Sequence, residues 1–267
     1  MVKKIFLCLI AILILLPFVY SLSLSFFEAK DFFSNPVKIF PSSFSFANYI
    51  KVLSHQYFTT YFINSLLTSF FAVFLRLVVA IYASYAFSFY RFKYSKAIFY
   101  FILISVLVPS DLLLLQNYLT VEKLNLLDSY MGIIITSVLS QSVILMLFHY
   151  FTSIPISIYE SARLDGANDR TFIYYILLPL SKSVIAIMAL HSFINIFNSY
   201  LWPLLVTNKT SMRTVQVGIT MLGYLESINY GPIFSAIILV CLPFVVFFII
   251  FKSKIVEYIS KGSLYRG

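Results

Sequence analysis

Charged side chains are scarce in this chain: they make up 11% of 267 residues, with ten acidic groups against nineteen lysines and arginines. Soluble globular domains carry about a quarter charged residues, so composition alone excludes that class. Cysteine occurs only at Cys8 and Cys241, each inside an apolar run where a free thiol behaves as a small hydrophobe, which implies neither a disulfide nor a metal site. The histidines His55, His149 and His191 are far apart in sequence, and no carboxylate pair or Cys/His cluster accompanies them. Acid–base and metal chemistry therefore have no constellation to act through, and the expectation is a non-enzyme without a metal or cofactor of its own. A phosphate-binding Gly-x-x-x-x-Gly-Lys-Ser/Thr loop is also missing, since Lys261-Gly262-Ser263 lacks both the upstream glycine and the preceding strand. No Gly/Ser-rich linker, low-complexity tract or internal repeat divides the chain, which reads as a single domain over residues 1–267.

What is abundant is apolar surface, at 61% hydrophobic and 19% aromatic residues. Runs of about 20 residues, the length that crosses hydrocarbon as a helix, lie near 5–27, 62–89, 97–118, 131–151, 184–206 and 233–251. They are continuous Leu, Ile, Phe and Val, without the alternation that a membrane β-barrel requires. The expected fold is an all-α integral membrane protein with six transmembrane helices. The first run follows Lys3 and Lys4 as a signal peptide would, but it is longer than an apolar signal core of about 7–15 residues and has no clear small-residue cleavage site, so it reads as a retained helix. With the N-terminus inside, twelve basic residues fall on the cytoplasmic side (Lys3, Lys4, Arg91, Lys93, Lys96, Arg163, Arg170, Lys182, Lys252, Lys254, Lys261, Arg266) and six outside (Lys30, Lys38, Lys51, Lys123, Lys209, Arg213). That asymmetry places both termini in the cytoplasm, and it explains the net charge of +9 as membrane topology without a nucleic-acid partner.

Between the fourth and fifth runs stands a polar segment, Glu160-Ser161-Ala162-Arg163-Leu164-Asp165-Gly166-Ala167, with Ile176, Leu178 and Pro179 following. Ser157 and Glu160 have the spacing of a capping box just after Pro155, which predicts a helix start. Gly166 is positioned to end that helix in a left-handed conformation, Asn168 or Asp169 to cap the next one, and Pro179 to stop it. Orientation puts the segment in the cytoplasm. Its pattern resembles the EAA signature of ABC-importer permeases, in the form that signature takes in carbohydrate importers, with Ser161 where alanine is usual. Further likeness to the shorter permease of maltose-type, binding-protein-dependent importers runs along most of the chain: Phe46-Ala47-Asn48-Tyr49, Asn64-Ser65, Tyr90-Arg91-Phe92, Val108-Pro109, Asn198 through Leu204, and Val217-Gly218.

The resemblance implies a half-channel in a bacterial inner membrane, paired with a second homologous permease. Two ATP-binding-cassette ATPase subunits would hold the ATP and magnesium, and an extracytoplasmic binding protein would deliver sugar. Glu160, Ser161, Ala162, Arg163, Asp165, Gly166, Ala167 and Pro179 would then form the coupling helix that the ATPase grips. Along the fifth run, His191, Asn195, Asn198 and Trp202 fall on one helical face and could line the sugar path through hydrogen bonds and indole stacking. The same residues could equally tie helices together or anchor the membrane boundary. Arg76 is expected to snorkel or pair with a carbonyl, and Asp111 to cap a restart after Pro109. Gln116, Asn117, Gln141 and Ser142 are further residues that could face a path. An ion-gradient-driven secondary transporter is the alternative, and a membrane enzyme or assembly factor a third reading; neither gives the Glu160–Pro179 segment a purpose.

Overall fold

The computed structural model describes residues 2–34, 38–225 and 230–264. Along the chain lie α1 (Val2–Leu24), α2 (Ala29–Phe32), α3 (Ala47–Leu53), α4 (Phe58–Phe89), α5 (Ser95–Ser105), α6 (Leu114–Lys123), α7 (Tyr130–Ile134) and α8 (Gln141–Thr152). They are followed by α9 (Ile156–Leu164), α10 (Asp169–Phe172), α11 (Leu178–Phe197), α12 (Leu201–Val206), α13 (Val215–Leu225) and α14 (Gly231–Leu264). No strand occurs among the described residues. Among the described residues, four helical stretches are long and apolar enough to cross a membrane: Lys4–Leu24, Phe58–Phe89, Asp169–Phe197 and Gly231–Ile250. A fifth passage is the bent pair Tyr130–Ser137 and Gln141–Thr152, which meet at 48°, while Ser95–Ser105 is apolar but shorter.

The sequence-predicted runs at 97–118 and 184–206 are therefore not single helices. After α5 the chain leaves the helix at Val106–Pro109 and restarts as a 3-10 turn, Ser110–Leu113, before α6. Pro109 lacks the N–H that a continuing helix needs, and its ring disfavours helical geometry at Val108. In the later run α11 closes at Phe197, and the restart as α12 puts Pro203 in the first turn, where no intrahelical N–H is required. Pro179 does the opposite of what its sequence position suggests. The helix passes straight through it, because a π-helical turn at Ile173–Leu177 rearranges the hydrogen bonding just upstream, with Leu178 N–H reaching the Ile173 carbonyl.

Two compact units are distinguishable, one comprising Met1–Asn64 and Arg213–Lys252 and the other Ser65–Met212 and Ser253–Gly267. The first is knotted around buried Asn48, whose side-chain amide donates to the Ser25 and Phe27 carbonyls, each at 2.9 Å, while Ser235 Oγ donates to the same Ser25 oxygen at 2.9 Å. Asn48→Ala removes the donor to the Phe27 carbonyl and leaves the Ser25 carbonyl with Ser235 Oγ, and is expected to cost about 1–3 kcal/mol. Thermal melting of the purified chain reads this, and an unchanged midpoint would show that the clip carries no stability. Within α2, Asp31 is buried; it accepts from Ser42 Oγ and, at 3.1 Å, from Lys38 Nζ. Hydrogen bonding by Ser42, reinforced by Lys38 and by the Glu28 and Ser42 N–H groups, outweighs burial and lowers its carboxyl to about 2.

The second unit has a core of Ala80, Tyr85, Ile144, Leu147, Phe151, Phe172, Leu177 and their neighbours, all at or below 9% exposure. A smaller cluster joins Val121, Ile133, Trp202 and Val206. Asn125 and Asp128 adopt left-handed backbone angles (φ 54° and 53°), which their short polar side chains tolerate. The Asp128 carboxylate accepts from the N–H groups of Asn208 (2.6 Å) and Lys209 (2.7 Å), pinning the turn before α7 to the chain after α12.

Candidate functional site

Two features of the second unit bear on function: a polar helical hairpin, and a cavity where helices break. The hairpin starts at α9, whose N-cap is Pro155 with no side-chain capping bond. The expected Ser157–Glu160 capping box is not made, because Ser157 already lies inside the helix. At the other end Gly166 takes φ +83°; its N–H bonds the Arg163 carbonyl at 3.1 Å and the Ala167 N–H bonds the Ala162 carbonyl at 2.9 Å. This pair is a Schellman closure, which satisfies the last carbonyls of the helix and fixes the direction in which the chain leaves. Two residues on, Asn168 Oδ1 accepts from Thr171 N–H at 2.9 Å and starts α10. Of the sequence alternatives for that cap, Asn168 is the one used.

Asp169 has a different task. It accepts from Tyr85 OH at 3.0 Å and from Tyr90 OH, and it forms a 3.2 Å ion pair with Arg163. Arg163 also lies over the Tyr159 ring at 5.5 Å and donates to the Ala167 carbonyl at 3.1 Å. Beneath these bonds, Phe89, Tyr159 and Phe172 form a triangle with ring centroids 5.0–5.3 Å apart. Ala162 is buried against this core and Ala167 half-buried, whereas Glu160, Ser161, Arg163, Asp165 and Gly166 face outward. Glu160 has no hydrogen bond or ion pair within the described chain, and Leu164 beside it is 89% exposed. The result is a short helix held at a fixed angle on the end of α4, presenting the unused carboxylates of Glu160 and Asp165 beside exposed apolar side chains. Sequence reasoning misses Tyr85, Phe89, Tyr90 and Phe172 as its braces.

The cavity, about 260 Å³, is lined by Asp111, Leu114, Asn117, Thr136, Ser137, Ser199, Leu201 and Trp202. Those residues come from three helix interruptions: the restart after Pro109, the end of the 3-10 turn Ile135–Ser137 at the 48° bend, and the gap between α11 and α12. Arg76 braces the bend, its Nε donating to the Ser137 carbonyl at 2.7 Å, which is the carbonyl pairing expected of it. Asp111 makes no capping bond at its restart and turns to the cavity instead. Of the stripe predicted on the fifth run, His191 and Asn195 stay together, with the Asn195 amide nitrogen 3.2 Å from His191 Nε2. Trp202 is separated from them by the break after Asn198. It is buried, its indole N–H donates to the Gly132 carbonyl at 3.2 Å, and it alone of the four lines the cavity. Gly132 is required there, since a Cβ would stand 2.1 Å from the Leu126 carbonyl oxygen.

Irregular backbone within apolar helices survives where it lines a water-filled cavity, because hydrocarbon leaves freed N–H and C=O groups unsatisfied. The fold is that of a membrane permease, in which long apolar helices break off around a polar interior. Sequence comparison supplies the family: residues 76–253 match the binding-protein-dependent transport system inner membrane component, and the chain belongs to that family. It is 28% identical to the arabinooligosaccharides transport system permease protein AraQ of Bacillus subtilis (84% of this chain, 80% of the relative). To the diacetylchitobiose uptake system permease protein NgcG of Streptomyces coelicolor it is 25% identical (95% and 85%). The sn-glycerol-3-phosphate transport system permease protein UgpE of Agrobacterium fabrum is 29% identical (78% and 76%). The fold also matches a chain in the crystal structure of a bacterial ABC transporter involved in import of the acidic polysaccharide alginate, with TM-score 0.80, 94% of each chain covered and 24% identity.

Proposed function

We infer that this chain is one of two homologous permease subunits of an ATP-driven importer, forming half the path for a carbohydrate delivered by an extracytoplasmic binding protein. Relatives named for arabinooligosaccharides, diacetylchitobiose and sn-glycerol-3-phosphate share polyhydroxylated cargo, which favours a sugar or sugar derivative. The observation that carries the ATPase-coupled reading is the braced hairpin: Glu160 is exposed and unpaired on a helix whose end and angle are fixed by Gly166 and Asp169. A rigid rod with a free carboxylate and exposed Ile156, Ile158 and Leu164 suits a cleft on another protein. In this reading Glu160, Ser161, Ala162, Arg163, Asp165, Gly166 and Ala167 form the coupling helix, Pro179 stiffens its return to the membrane, and the ATP and magnesium reside on two separate ATPase subunits.

The six passages are then α1, α4, α5 with α6, α7 with α8, α11 with α12, and α14, two of them interrupted and one bent, within one permease domain. Both termini and the hairpin lie in the cytoplasm of a bacterial cell, as the basic residues favour. Lys4 through Val19 are exposed along the whole of that stretch, a surface that lipid and the second permease would cover. In a background with Cys8 and Cys241 replaced by serine, a cysteine at Asn168 should be labelled only from the cytoplasm and one at Ser211 only from outside. External labelling at position 168 would overturn the orientation. In proteoliposomes, ATP-dependent sugar uptake should require this chain together with a second permease, ATPase subunits and a binding protein. Gradient-driven uptake by this chain alone would instead establish a secondary transporter.

A further inference from the structure

The cavity has a chemical character that its wall residues define. Asp111, Asn117, Thr136, Ser137 and Ser199 supply one carboxylate, one amide and three hydroxyls. None of these side chains has a hydrogen bond or ion pair elsewhere in the described chain, so their donors and acceptors all remain available. The sole indole of the chain, at Trp202, lines the cavity with Leu114 and Leu201; it is buried against Val121, Ile133 and Val206, its N–H is committed to the Gly132 carbonyl, and the part of its surface that remains is turned to the cavity. No lysine or arginine contributes to the lining. Arg76 reaches the edge through Ser137, where its Nε is engaged by the backbone carbonyl. A wall that combines hydroxyl, amide and carboxylate groups with an indole fits a pyranose or furanose ring, whose hydroxyls would donate to Asp111 and whose apolar edge would meet the exposed part of Trp202. The single charged group of the wall is an anion, which repels a second carboxylate or a phosphate.

We propose that the cavity between the three helix breaks is a sugar subsite of this subunit, and that its unpaired Asp111 selects uncharged saccharides over uronates and sugar phosphates. The proposal rests on the carbohydrate-permease reading and names the class of cargo within it. Its volume, about 260 Å³, lies below the range of about 300–1,000 Å³ typical of pockets that enclose a drug-sized ligand, so the subsite engages one ring of an oligosaccharide at a time.

Because Trp202 is the only tryptophan, its fluorescence reports on the subsite without labelling. The full chain in lipid nanodiscs is titrated with maltotriose, with a galacturonate trisaccharide and with glycerol 3-phosphate. The expected result is a saturable change with maltotriose, and half-saturation at least about tenfold weaker for both anions. Asp111→Asn should narrow that gap, and Asp111→Lys should reverse it. Equal or tighter response to the anionic probes in the wild-type chain overturns the selectivity, and that titration does not depend on either variant folding. No response to any probe, in a chain that still supports ATP-dependent sugar uptake with its partners, overturns the subsite while leaving the permease reading intact. Loss of uptake in the complete system would count against the permease reading itself.

Discussion

Valine at position 166 is expected to leave the chain folded in the membrane and to abolish sugar uptake. Gly166 sits at φ +83° with nothing within 4 Å of a Cβ, so the substitution meets no steric neighbour; the damage is confined to the backbone. A left-handed conformation costs an L-residue about 1–2 kcal/mol, and more for a β-branched side chain. Leaving it breaks the two closing bonds, Gly166 N–H to Arg163 and Ala167 N–H to Ala162. The end of α9 then unwinds or turns, and the exit direction that the Schellman closure imposes is lost. The apolar core under the hairpin does not involve Gly166, so membrane insertion should be normal. Asparagine, which tolerates left-handed angles, should retain most of the transport that valine removes. Uptake and ATPase association measured side by side for Gly166→Asn and Gly166→Val check this ordering. Wild-type transport by the valine variant would show that the direction of this helix does not matter.

The hairpin is legible in the sequence because its determinants are local: a glycine after a helix, an asparagine two residues later, and small residues at Ala162 and Ala167 where the helix must approach its support. What fails there fails for local reasons too. The Ser-x-x-Glu spacing at Ser157 and Glu160 is a capping box only if the helix starts at Ser157, and Pro155 starts it two residues sooner. Pro179 reads as a stop unless the π-turn immediately before it is known, and nothing in Ile173–Leu177 announces that turn.

The cavity is harder to see, because it is assembled from interruptions far apart in the chain. Pro109 marks one of them directly. Pro203 marks another, although helical spacing carries the eye from Asn198 to Trp202 as though the helix were continuous. Val138 through Ser140 carry no glycine or proline, and only the tertiary contact between Arg76 and the Ser137 carbonyl accounts for a bend there. Tyr85 and Tyr90 belong to an apolar run and an adjoining turn, where their hydroxyls look incidental until Asp169 is placed between them.

That placement gives the second large effect. Asp169 ties three elements together: the end of α4 through Tyr85 and the adjoining Tyr90, α9 through Arg163, and α10 to which it belongs. Asp169→Ala removes the acceptor shared by both tyrosines and the partner of Arg163 at once. Tyr85 is 4% exposed, so its hydroxyl has little access to water and is left with the neighbouring Tyr159 and Tyr90 hydroxyls, and weakening the hydrogen bonding of such a buried group costs about 1–3 kcal/mol. The Phe89, Tyr159 and Phe172 packing remains, so the hairpin should stay attached while its angle to α4 loosens. The expected phenotype in the assembled importer is ATP hydrolysis that continues with sugar uptake reduced about tenfold or more, since each 1.4 kcal/mol is a factor of ten in an equilibrium. Asp169→Asn keeps an acceptor oxygen for one tyrosine, offers the other an amide N–H that its hydroxyl oxygen can accept, and loses the charge paired with Arg163, the two partners being 40% and 43% exposed. An ion pair that open to solvent contributes about 0–1 kcal/mol, so the asparagine variant should transport nearly as well as wild type. Measuring uptake against hydrolysis for the two variants separates the contributions. If asparagine proves as damaging as alanine, the hairpin is held in register by a full carboxylate that accepts from both tyrosines and pairs with Arg163, and a single neutral acceptor does not suffice.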